Sequence, residues 1–247
     1  MVYMEEFQRR NPSTACLYLA DDAAFPYGDK QPEVVRNRVL RVITSVISAY
    51  PIEAIVVACN TASVVALAAL REVVTVPVVG TVPAVKPAAA MTTSGHIAVL
   101  ATNRTVHDPY TDDLVRQFAR IVRVTRLGLP RLVSVAERYH CDGDDAAIRQ
   151  VISEEAVRRL DGDVDTVVLA CTHFVRFAGH FQEVLGTGVR VVDSLDGVTR
   201  RLLEVLPATG DMSHATETVQ LMRTGEVSTS QCRQDRSRWT HLPGFSL

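Results

Sequence analysis

The sequence predicts an α/β protein built on parallel β-sheet. Short runs of β-branched and aliphatic residues recur along the chain, and segments with apolar residues at helical spacing separate them. This alternation indicates βαβ units, in which the strands run parallel and the helices cover the faces of the sheet. With 247 residues and 47% hydrophobic composition, the chain can bury one large core or two smaller ones, so one compact unit and two lobes are both open.

Seven runs are predicted to be buried strands because each is short, apolar and rich in β-branched residues. They are Cys16–Ala20, Ala54–Ala58, Val76–Gly80, Ile97–Ala101, Ile121–Leu127, Thr166–Ala170 and Val189–Val192.

Two apolar stripes predict amphipathic helices. The first consists of Val35, Val39, Val42 and Val46, and the second of Ile148, Val151, Ile152, Ala156 and Leu160. The tail after about Pro207 is more polar and contains Trp239, the single tryptophan of the chain, so we expect a peripheral helix and a loose end there.

The charge balance argues against a nucleic-acid partner. The 26 basic and 28 acidic residues give a net charge of -2 and are spread along the chain, without a basic stripe for phosphates. The apolar runs are far shorter than the roughly 20 residues that span a bilayer, so no membrane association is expected. Five cysteines without regular spacing do not suggest a disulfide framework, and we expect a cytoplasmic protein.

Two short segments resemble each other and each carries a cysteine. Ile55–Thr61 reads IVVACNT and Val167–His173 reads VVLACTH, which places Cys59 and Cys171 just past two predicted strands. The similarity is too short to establish a duplication. The shared position matters more, because ligands of open α/β sheets bind at the carboxyl ends of the strands, where helix N-termini offer free N–H groups.

These two cysteines are the candidate reactive groups. A free cysteine is usually a small core residue, and we interpret Cys16 and Cys232 in that way. A thiol beside a helix N-terminus has its thiolate favoured by the helix dipole, so we expect Cys59 and Cys171 to have lowered pKa values and to serve as bases. The residues that follow them would direct amide, hydroxyl and imidazole groups towards a carboxylate ligand. They are Asn60, Thr61, Thr172 and His173.

His173 has three interpretations: a metal ligand, a partner of the thiol base or a satisfied core histidine. A metal is disfavoured because zinc sites need three or four convergent ligands and no second Cys/His pair lies nearby. Glu137 follows an apolar run and is a candidate to orient His173.

Two further segments flank predicted strands. Asp21–Gly28 is a loop in which Pro26, Tyr27 and Gly28 hold a turn, and the structural interpretation is a strand-to-helix connection. Thr102 and Thr105 follow the strand that ends at Ala101, and we interpret them first as helix caps. A capping threonine can still contact a ligand.

The segments Asp22–Gly28, Ala58–Ser63 and Leu169–Phe174 resemble the glutamate racemase family in order and spacing, from about residue 14 to residue 206. The wider relatives include aspartate and hydantoin racemases, maleate isomerases and arylmalonate decarboxylases. Two cysteines disfavour the decarboxylases, which use one.

The resemblance implies two pseudo-symmetric flavodoxin-like lobes with parallel sheets and an active site in the cleft between them. It places residues 1–81 and 194–247 in the N-terminal lobe and residues 82–193 in the second. It implies no cofactor and no metal, a small-molecule substrate, glutamate, and leaves a homodimer open.

The resemblance also assigns roles to residues. Cys59 acts on D-glutamate and Cys171 on the opposite face of the substrate Cα, with His173 and Glu137 assisting Cys171. Eight residues match substrate-binding positions: Pro26, Tyr27, Gly28, Asn60, Thr61, Thr102, Thr105 and Thr172. Inverting a stereocentre without a cofactor requires one group to remove the Cα proton and another to deliver one from the opposite side, so the resting site should hold one thiolate and one thiol.

The chain departs from the family pattern at its beginning. Glutamate racemases open with a strand that ends in Asp-Ser-Gly, and here residues 1–10 resemble the helix that follows it. We therefore expect the first strand of the N-terminal lobe to be missing and the activity to be reduced. Three functions stay open: racemisation of glutamate for peptidoglycan, a racemase-like binding or regulatory protein without turnover, and racemisation of aspartate or another acidic substrate.

Overall fold

The computed structural model describes residues 1–206, 219–225 and 239–242. It confirms the predicted α/β class, with every strand pair parallel. The strands are β1 (Cys16–Ala20), β2 (Ile55–Val57), β3 (Val78–Gly80), β4 (His96–Ala101), β5 (Arg123–Gly128), β6 (Thr166–Leu169), β7 (Arg190–Val192), β8 (Val219–Arg223) and β9 (Trp239–His241).

The helices are α1 (Val2–Arg10), α2 (Pro32–Ala49), α3 (Asn60–Val73), α4 (Val85–Met91), α5 (Asn103–Val106), α6 (Pro109–Phe118), α7 (Pro130–Asp142), α8 (Asp145–Glu155), α9 (Thr172–Val175), α10 (Ala178–Leu185) and α11 (Leu195–Val205). The seven strands predicted from the sequence are all present. Their ends differ from the predicted ends by no more than two residues, since terminal residues are the least determined by local pattern.

The chain divides into two compact units. The first unit contains Met1–Ala58, Val65–Gly80 and Leu195–Leu247, and the second contains Cys59–Val64 and Thr81–Ser194. The lobe boundaries that the family resemblance implies stay a prediction.

The first unit holds two sheets among its described residues, one of order β1-β8-β9 and one that pairs β2 with β3. Helix α2 begins with Pro32 in its first turn and buries the predicted valine stripe at Val35, Val39 and Val42. Val42 packs with Met222 of strand β8 and with Leu242. The apolar stripe therefore positions α2 against the sheet that carries β1.

The prediction of a peripheral helix after Pro207 is wrong for the described part of the tail. Residues 219–223 pair with strand β1 in the register Tyr18↔Leu221, and residues 239–241 pair with β8. Hydrogen bonding to a neighbouring strand determines this conformation, which local pattern alone does not reveal. The rest of the predicted loose end, with Cys232, lies outside the described residues.

The second unit is built on a four-stranded parallel sheet of order β5-β4-β6-β7. The central strands β4 and β6 are buried along their whole length, and Val99 pairs with Val168 in register. Two apolar clusters cover the sheet, and Ile148, Val151 and Ile152 of helix α8 belong to one of them, as their spacing predicts. This sheet is the scaffold for the candidate site, since β4, β5 and β6 end at the same edge.

Among the described residues, no helix has both the length and the apolar character needed to cross a bilayer.

Candidate active site

The second unit brings both candidate cysteines into one compact body. Strand β6 ends at Leu169 and leads to Cys171, which immediately precedes helix α9. Cys59 immediately precedes helix α3, and its segment Cys59–Val64 belongs to the same unit. Each thiol thus lies at the N-terminus of a helix, where the backbone N–H groups have no partner within the helix.

Cys171 is the first member of a hydrogen-bonded chain of three side chains. Its Sγ lies 3.6 Å from Nδ1 of His173, and Nε2 of His173 lies 2.7 Å from Oε1 of Glu137 on helix α7. Cys171 is buried, whereas 28% of the His173 side chain and 35% of the Glu137 side chain are exposed. The chain places a carboxylate behind the imidazole, which fixes the ring with Nδ1 directed at the sulfur.

The electrostatics of this chain favour a charged imidazole. Burial opposes the imidazolium, but the hydrogen bonds to Cys171 and to Glu137 outweigh it and raise the pKa of His173 to about 10. At neutral pH His173 therefore carries a positive charge next to the Cys171 sulfur. The Nδ1–H of this imidazolium is then a charged hydrogen-bond donor directed at the sulfur.

Cys59 has a different environment, and here the sequence-based expectation of a lowered pKa is wrong. Burial raises the pKa of the Cys59 thiol to about 11, because a thiolate loses its hydration there. The N–H groups of Thr61 and Ala62 and the Thr61 hydroxyl act in the opposite direction, and the charge of Cys171 adds to the rise of this pKa. The Ala62 N–H donates to Cys59 Sγ at 3.5 Å. The helix N-terminus thus moderates the effect of burial without reversing it.

Asn60 offers unused hydrogen-bonding capacity beside Cys59. The residue is 3% exposed, and neither its amide nitrogen nor its amide oxygen has a hydrogen-bond partner among the described residues. A buried amide without partners costs free energy on the order of 1–3 kcal/mol. This cost is offset when a polar ligand supplies the missing hydrogen bonds.

Three threonine hydroxyls lie against one another near Cys59. Thr61 Oγ1 is 3.1 Å from Thr102 Oγ1 and 3.2 Å from Thr105 Oγ1, and Thr102 Oγ1 is 3.2 Å from Thr105 Oγ1. Thr61 and Thr105 are buried. The predicted cap is confirmed for Thr102, whose hydroxyl accepts the Thr105 N–H at the start of α5, whereas Thr105 lies within the helix.

Gly128 allows this arrangement by leaving space for α5. A Cβ at the end of strand β5 would stand 1.8 Å from Oδ1 of Asn103, the first residue of α5. Arg126 donates to the Val106 carbonyl at the other end of the short helix. The end of β5 thus fixes the position of Thr102 and Thr105.

Pro26, Tyr27 and Gly28 lie in the first unit, where two short 3-10 turns follow strand β1. The Tyr27 hydroxyl donates to a carboxylate oxygen of Asp21, and the Arg38 guanidinium donates to both oxygens of Asp21. Burial opposes ionisation of Asp21, but hydrogen bonds from Arg38, Thr224 and Tyr27 outweigh it and lower the pKa of this carboxyl.

Sequence reasoning assigned no role to Asp21, Arg38 or Thr224. The signal that was available is the position of Asp21, an acidic residue directly after a strand, but neither partner is recognisable from spacing. Thr172, the remaining predicted site residue, is the first residue of α9 and is half-buried.

The described residues contain one group with the composition of a metal site. His96, Asp161 and Asp163 can bring three ligand atoms within 4.8 Å of one another. The ring nitrogens of His96 are already hydrogen-bonded to Asp163 and to Thr125, and Arg123 forms ion pairs with both aspartates. The cluster lies at the amino end of strand β4, whereas Thr102 follows the carboxyl end of this strand. Arg123 already supplies a positive charge to both aspartates.

The comparisons with known proteins agree with this geometry. The model of the family described as Asp/Glu/Hydantoin racemase matches residues 4–202, and the chain belongs to this family. It is an isomerase of the amino-acid racemase class.

Individual relatives support the same family assignment. The chain is 41% identical over 201 residues to a glutamate racemase of Salmonella paratyphi A, a match that covers 80% of this chain and 70% of the relative. The crystal structure of Escherichia coli glutamate racemase in complex with L-glutamate and the activator UDP-MurNAc-Ala is similar with a TM-score of 0.81 and 35% identity, covering 92% of this chain and 85% of that one. A glutamate racemase isoform from Bacillus anthracis gives a TM-score of 0.77 and 26% identity, with 93% and 86% coverage.

Proposed function

We propose that the chain interconverts L-glutamate and D-glutamate without a cofactor, by a two-base mechanism in which Cys59 and Cys171 act on opposite faces of the substrate Cα. The observation that carries this proposal is the hydrogen-bonded chain from Cys171 through His173 to Glu137, in the same unit as a second thiol at a helix N-terminus. The glutamate racemases among its relatives support glutamate as the substrate.

The two environments suggest how protons are distributed before the substrate binds. The pKa of about 11 keeps Cys59 as a thiol at neutral pH, and the pKa of about 10 keeps His173 as an imidazolium beside Cys171. In the proposed cycle the Cys59 thiol is therefore the proton donor, and Cys171, beside the His173 imidazolium, is the base. This form is prepared to act on L-glutamate.

In the first step, the Cys171 thiolate removes the Cα proton of L-glutamate and becomes a thiol. In the second, the Cys59 thiol delivers its proton to the opposite face of the carbanion, which yields D-glutamate and a Cys59 thiolate. No electrons are gained or lost, since one proton leaves the substrate and another replaces it. The reverse reaction exchanges the roles of the two thiols.

The carbanion-like state requires groups that stabilise negative charge on the substrate carboxylate. The buried Asn60 amide, which lacks partners among the described residues, is the strongest candidate for this contact. Fixed donors of this kind are already oriented before the reaction, so they stabilise the developing charge without reorganisation. Thr172, Pro26, Tyr27 and Gly28 remain predicted substrate contacts on the family resemblance.

We further propose that the D-glutamate formed by the chain is used for peptidoglycan synthesis and thereby supports cell shape. The test is complementation of a bacterial strain that requires added D-glutamate. Growth without D-glutamate is the expected result for the intact chain, and a variant with Cys171→Ala is expected to fail.

The biochemical test is racemisation in deuterated water. The chain incubated with L-glutamate is expected to lose optical activity and to incorporate deuterium at Cα, since the proton delivered by Cys59 comes from solvent. Aspartate is assayed in parallel, and faster turnover of aspartate would reassign the substrate. Binding of glutamate without deuterium incorporation would favour a racemase-like binding protein and contradict the proposal.

A further inference from the structure

Two consecutive aspartates after strand β1 contact three consecutive residues at the end of strand β8. The Thr224 hydroxyl donates to Oδ1 of Asp21. The Gly225 N–H donates to Oδ1 of Asp22 at 2.7 Å, and the Arg223 guanidinium forms an ion pair with Oδ2 of Asp22 at 3.2 Å. The side chains of Asp22 and Arg223 are only 11% and 13% exposed, so water screens this pair little. The end of β8 is therefore bound to the loop of residues 21–28, which we call the β1 loop.

At Gly225 the backbone of the tail packs directly against the backbone of the β1 loop. The Thr224 N–H donates to the Ala20 carbonyl at 3.2 Å, which continues the pairing of β1 with β8 up to this contact. A Cβ on Gly225 would stand 2.9 Å from the nitrogen and 3.1 Å from the Cα of Ala23. Backbone atoms cannot rotate aside as the end of a side chain can. A larger residue at position 225 would therefore displace the loop or the tail.

Asp21 connects the tail to the part of the β1 loop that carries Tyr27 and Gly28. One of its oxygens accepts the Tyr27 hydroxyl, and the other accepts the Thr224 hydroxyl. The Arg38 guanidinium of helix α2 donates to both oxygens and fixes the carboxylate between them. Because one carboxylate accepts from the tail and from Tyr27, a displacement of the tail changes the position of the loop at Tyr27.

We propose that Thr224 and Gly225 are positioning residues that hold the β1 loop in the conformation that binds the substrate. The inference deepens the proposed function and rests on it, because Pro26, Tyr27 and Gly28 are the predicted substrate contacts in this loop. A loop that is ordered before binding loses less conformational entropy when the ligand arrives. The contacts of the tail therefore act on the affinity for the substrate and not on the proton transfers.

A positioning role and a purely structural role of the tail differ in their kinetic consequences. If the contacts only stabilised the first unit, their loss would lower the fraction of folded protein and hence the apparent kcat, whereas KM of the remaining folded protein would not change. If they position the loop, their loss raises KM while kcat is preserved. Thr224 and Asp21 are 203 residues apart in the sequence, so no local pattern indicates either role.

Hydrogen exchange of the intact protein without ligand measures the β1 loop directly. The N–H groups of Ala24 and Phe25 are hydrogen-bonded within the first turn of the loop, so their exchange reports its opening. Gly225→Ala is expected to raise the exchange rate of the peptide that contains them about tenfold, because the added methyl group displaces the loop backbone. Gly197→Ala is the matched control, since a Cβ on Gly197 meets no atom within 4 Å, and it should leave this exchange unchanged.

Thr224→Val removes one hydrogen bond and leaves the backbone contact in place. It is expected to raise the same exchange rate about threefold, since two other side chains still donate to Asp21, and Thr224→Ser should restore the wild-type rate. Thr199→Val is the matched control. Thr199 is also buried and lies in the same unit, but its hydroxyl donates to the Leu195 carbonyl of its own helix.

The substrate readouts are KM and kcat with glutamate, together with the Kd of D-glutamate from calorimetry, which needs no turnover. Gly225→Ala is expected to raise KM and Kd about tenfold and to change kcat by less than about twofold. Alkylation of Cys59 and Cys171 by iodoacetamide, resolved by mass spectrometry of their peptides, should stay at the wild-type rates, because both cysteines belong to the second unit.

Wild-type loop exchange in Gly225→Ala and Thr224→Val would overturn the inference, and so would faster exchange with unchanged KM and Kd. Should Gly225→Ala fail to fold, the Thr224→Val and Thr224→Ser pair decides. A chain that shows the expected changes of exchange and Kd but does not racemise glutamate refutes the proposed function alone. Racemisation in which both variants keep the wild-type KM refutes this inference alone.

Discussion

Replacing His173 by Asn is the sharpest test of the asymmetry between the two thiols. The amide can still hydrogen-bond to Glu137, but it cannot carry the positive charge that now lies 3.6 Å from Cys171 Sγ. A hydrogen bond to a charged group contributes about 1.5–3 kcal/mol, and the 28% exposure of the His173 side chain places this one at the lower end. We therefore expect the rate constant for alkylation of Cys171 at neutral pH to fall about tenfold, and at most about a hundredfold.

Two measurements check this expectation. Peptide-resolved alkylation at neutral pH reports the Cys171 thiolate, and kcat from each enantiomer reports its use as a base. The ratio of kcat/KM for the two enantiomers cannot change, because their equilibrium constant is fixed by symmetry. The effect must therefore appear as a larger loss of kcat from L-glutamate than from D-glutamate.

His180→Asn is the matched control. His180 also pairs with a carboxylate, Asp145, at 2.8 Å, and it lies in the same unit, but its ring packs against Tyr139 and Phe177 and not against a cysteine. The control should leave Cys171 alkylation and both kcat values unchanged. Equal loss of kcat from the two enantiomers in His173→Asn, with unchanged Cys171 alkylation, would show that His173 only stabilises the fold.

Three further predictions follow from the same groups. Cys59→Ala and Cys171→Ala should each abolish racemisation, measured by optical activity, because one thiol cannot serve both faces; full turnover in either variant contradicts the two-base mechanism. The rate should fall as pH rises through about 10, because the His173 imidazolium is lost with its pKa of about 10 and the Cys59 thiol with its pKa of about 11. A pH–rate profile that stays flat up to pH 11 would exclude these groups. Asp21→Asn should lower the free energy of unfolding by about 3 kcal/mol in chemical denaturation, because it removes the carboxylate charge that pairs with the partly buried Arg38 guanidinium. In the wild-type chain this contribution is present above the lowered pKa of Asp21 and is lost as pH falls through it.

The fold was largely predictable because its signals are local. Buried parallel strands are short β-branched runs, and the stripes of α2 and α8 repeat at helical spacing. Strands β8 and β9 were missed because their conformation depends on pairing with β1, which no local window contains. The position of Cys59 and Cys171 at strand ends was likewise a local signal.

The chemistry of the site was only partly predictable. His173 and Glu137 are separated by 36 residues, so their hydrogen bond could be anticipated only through the family resemblance. The pKa of Cys59 was predicted in the wrong direction, because the sequence reveals a helix N-terminus but not the hydration that the half-buried thiol loses in the folded unit. Burial is a property of the assembled unit, and here it exceeds the effect of the helix dipole.

Different groups stabilise negative charge at the two sulfurs. Next to Cys171, a full positive charge on His173 compensates the thiolate, whereas the donors to Cys59 are neutral. The reaction moves the negative charge from one to the other, so every contribution that favours the Cys59 thiolate lowers the energy difference between the two enzyme forms. The N–H groups of Ala62 and Thr61, which lower the pKa of Cys59, therefore reduce the imbalance that the imidazolium creates, and both directions of racemisation depend on them.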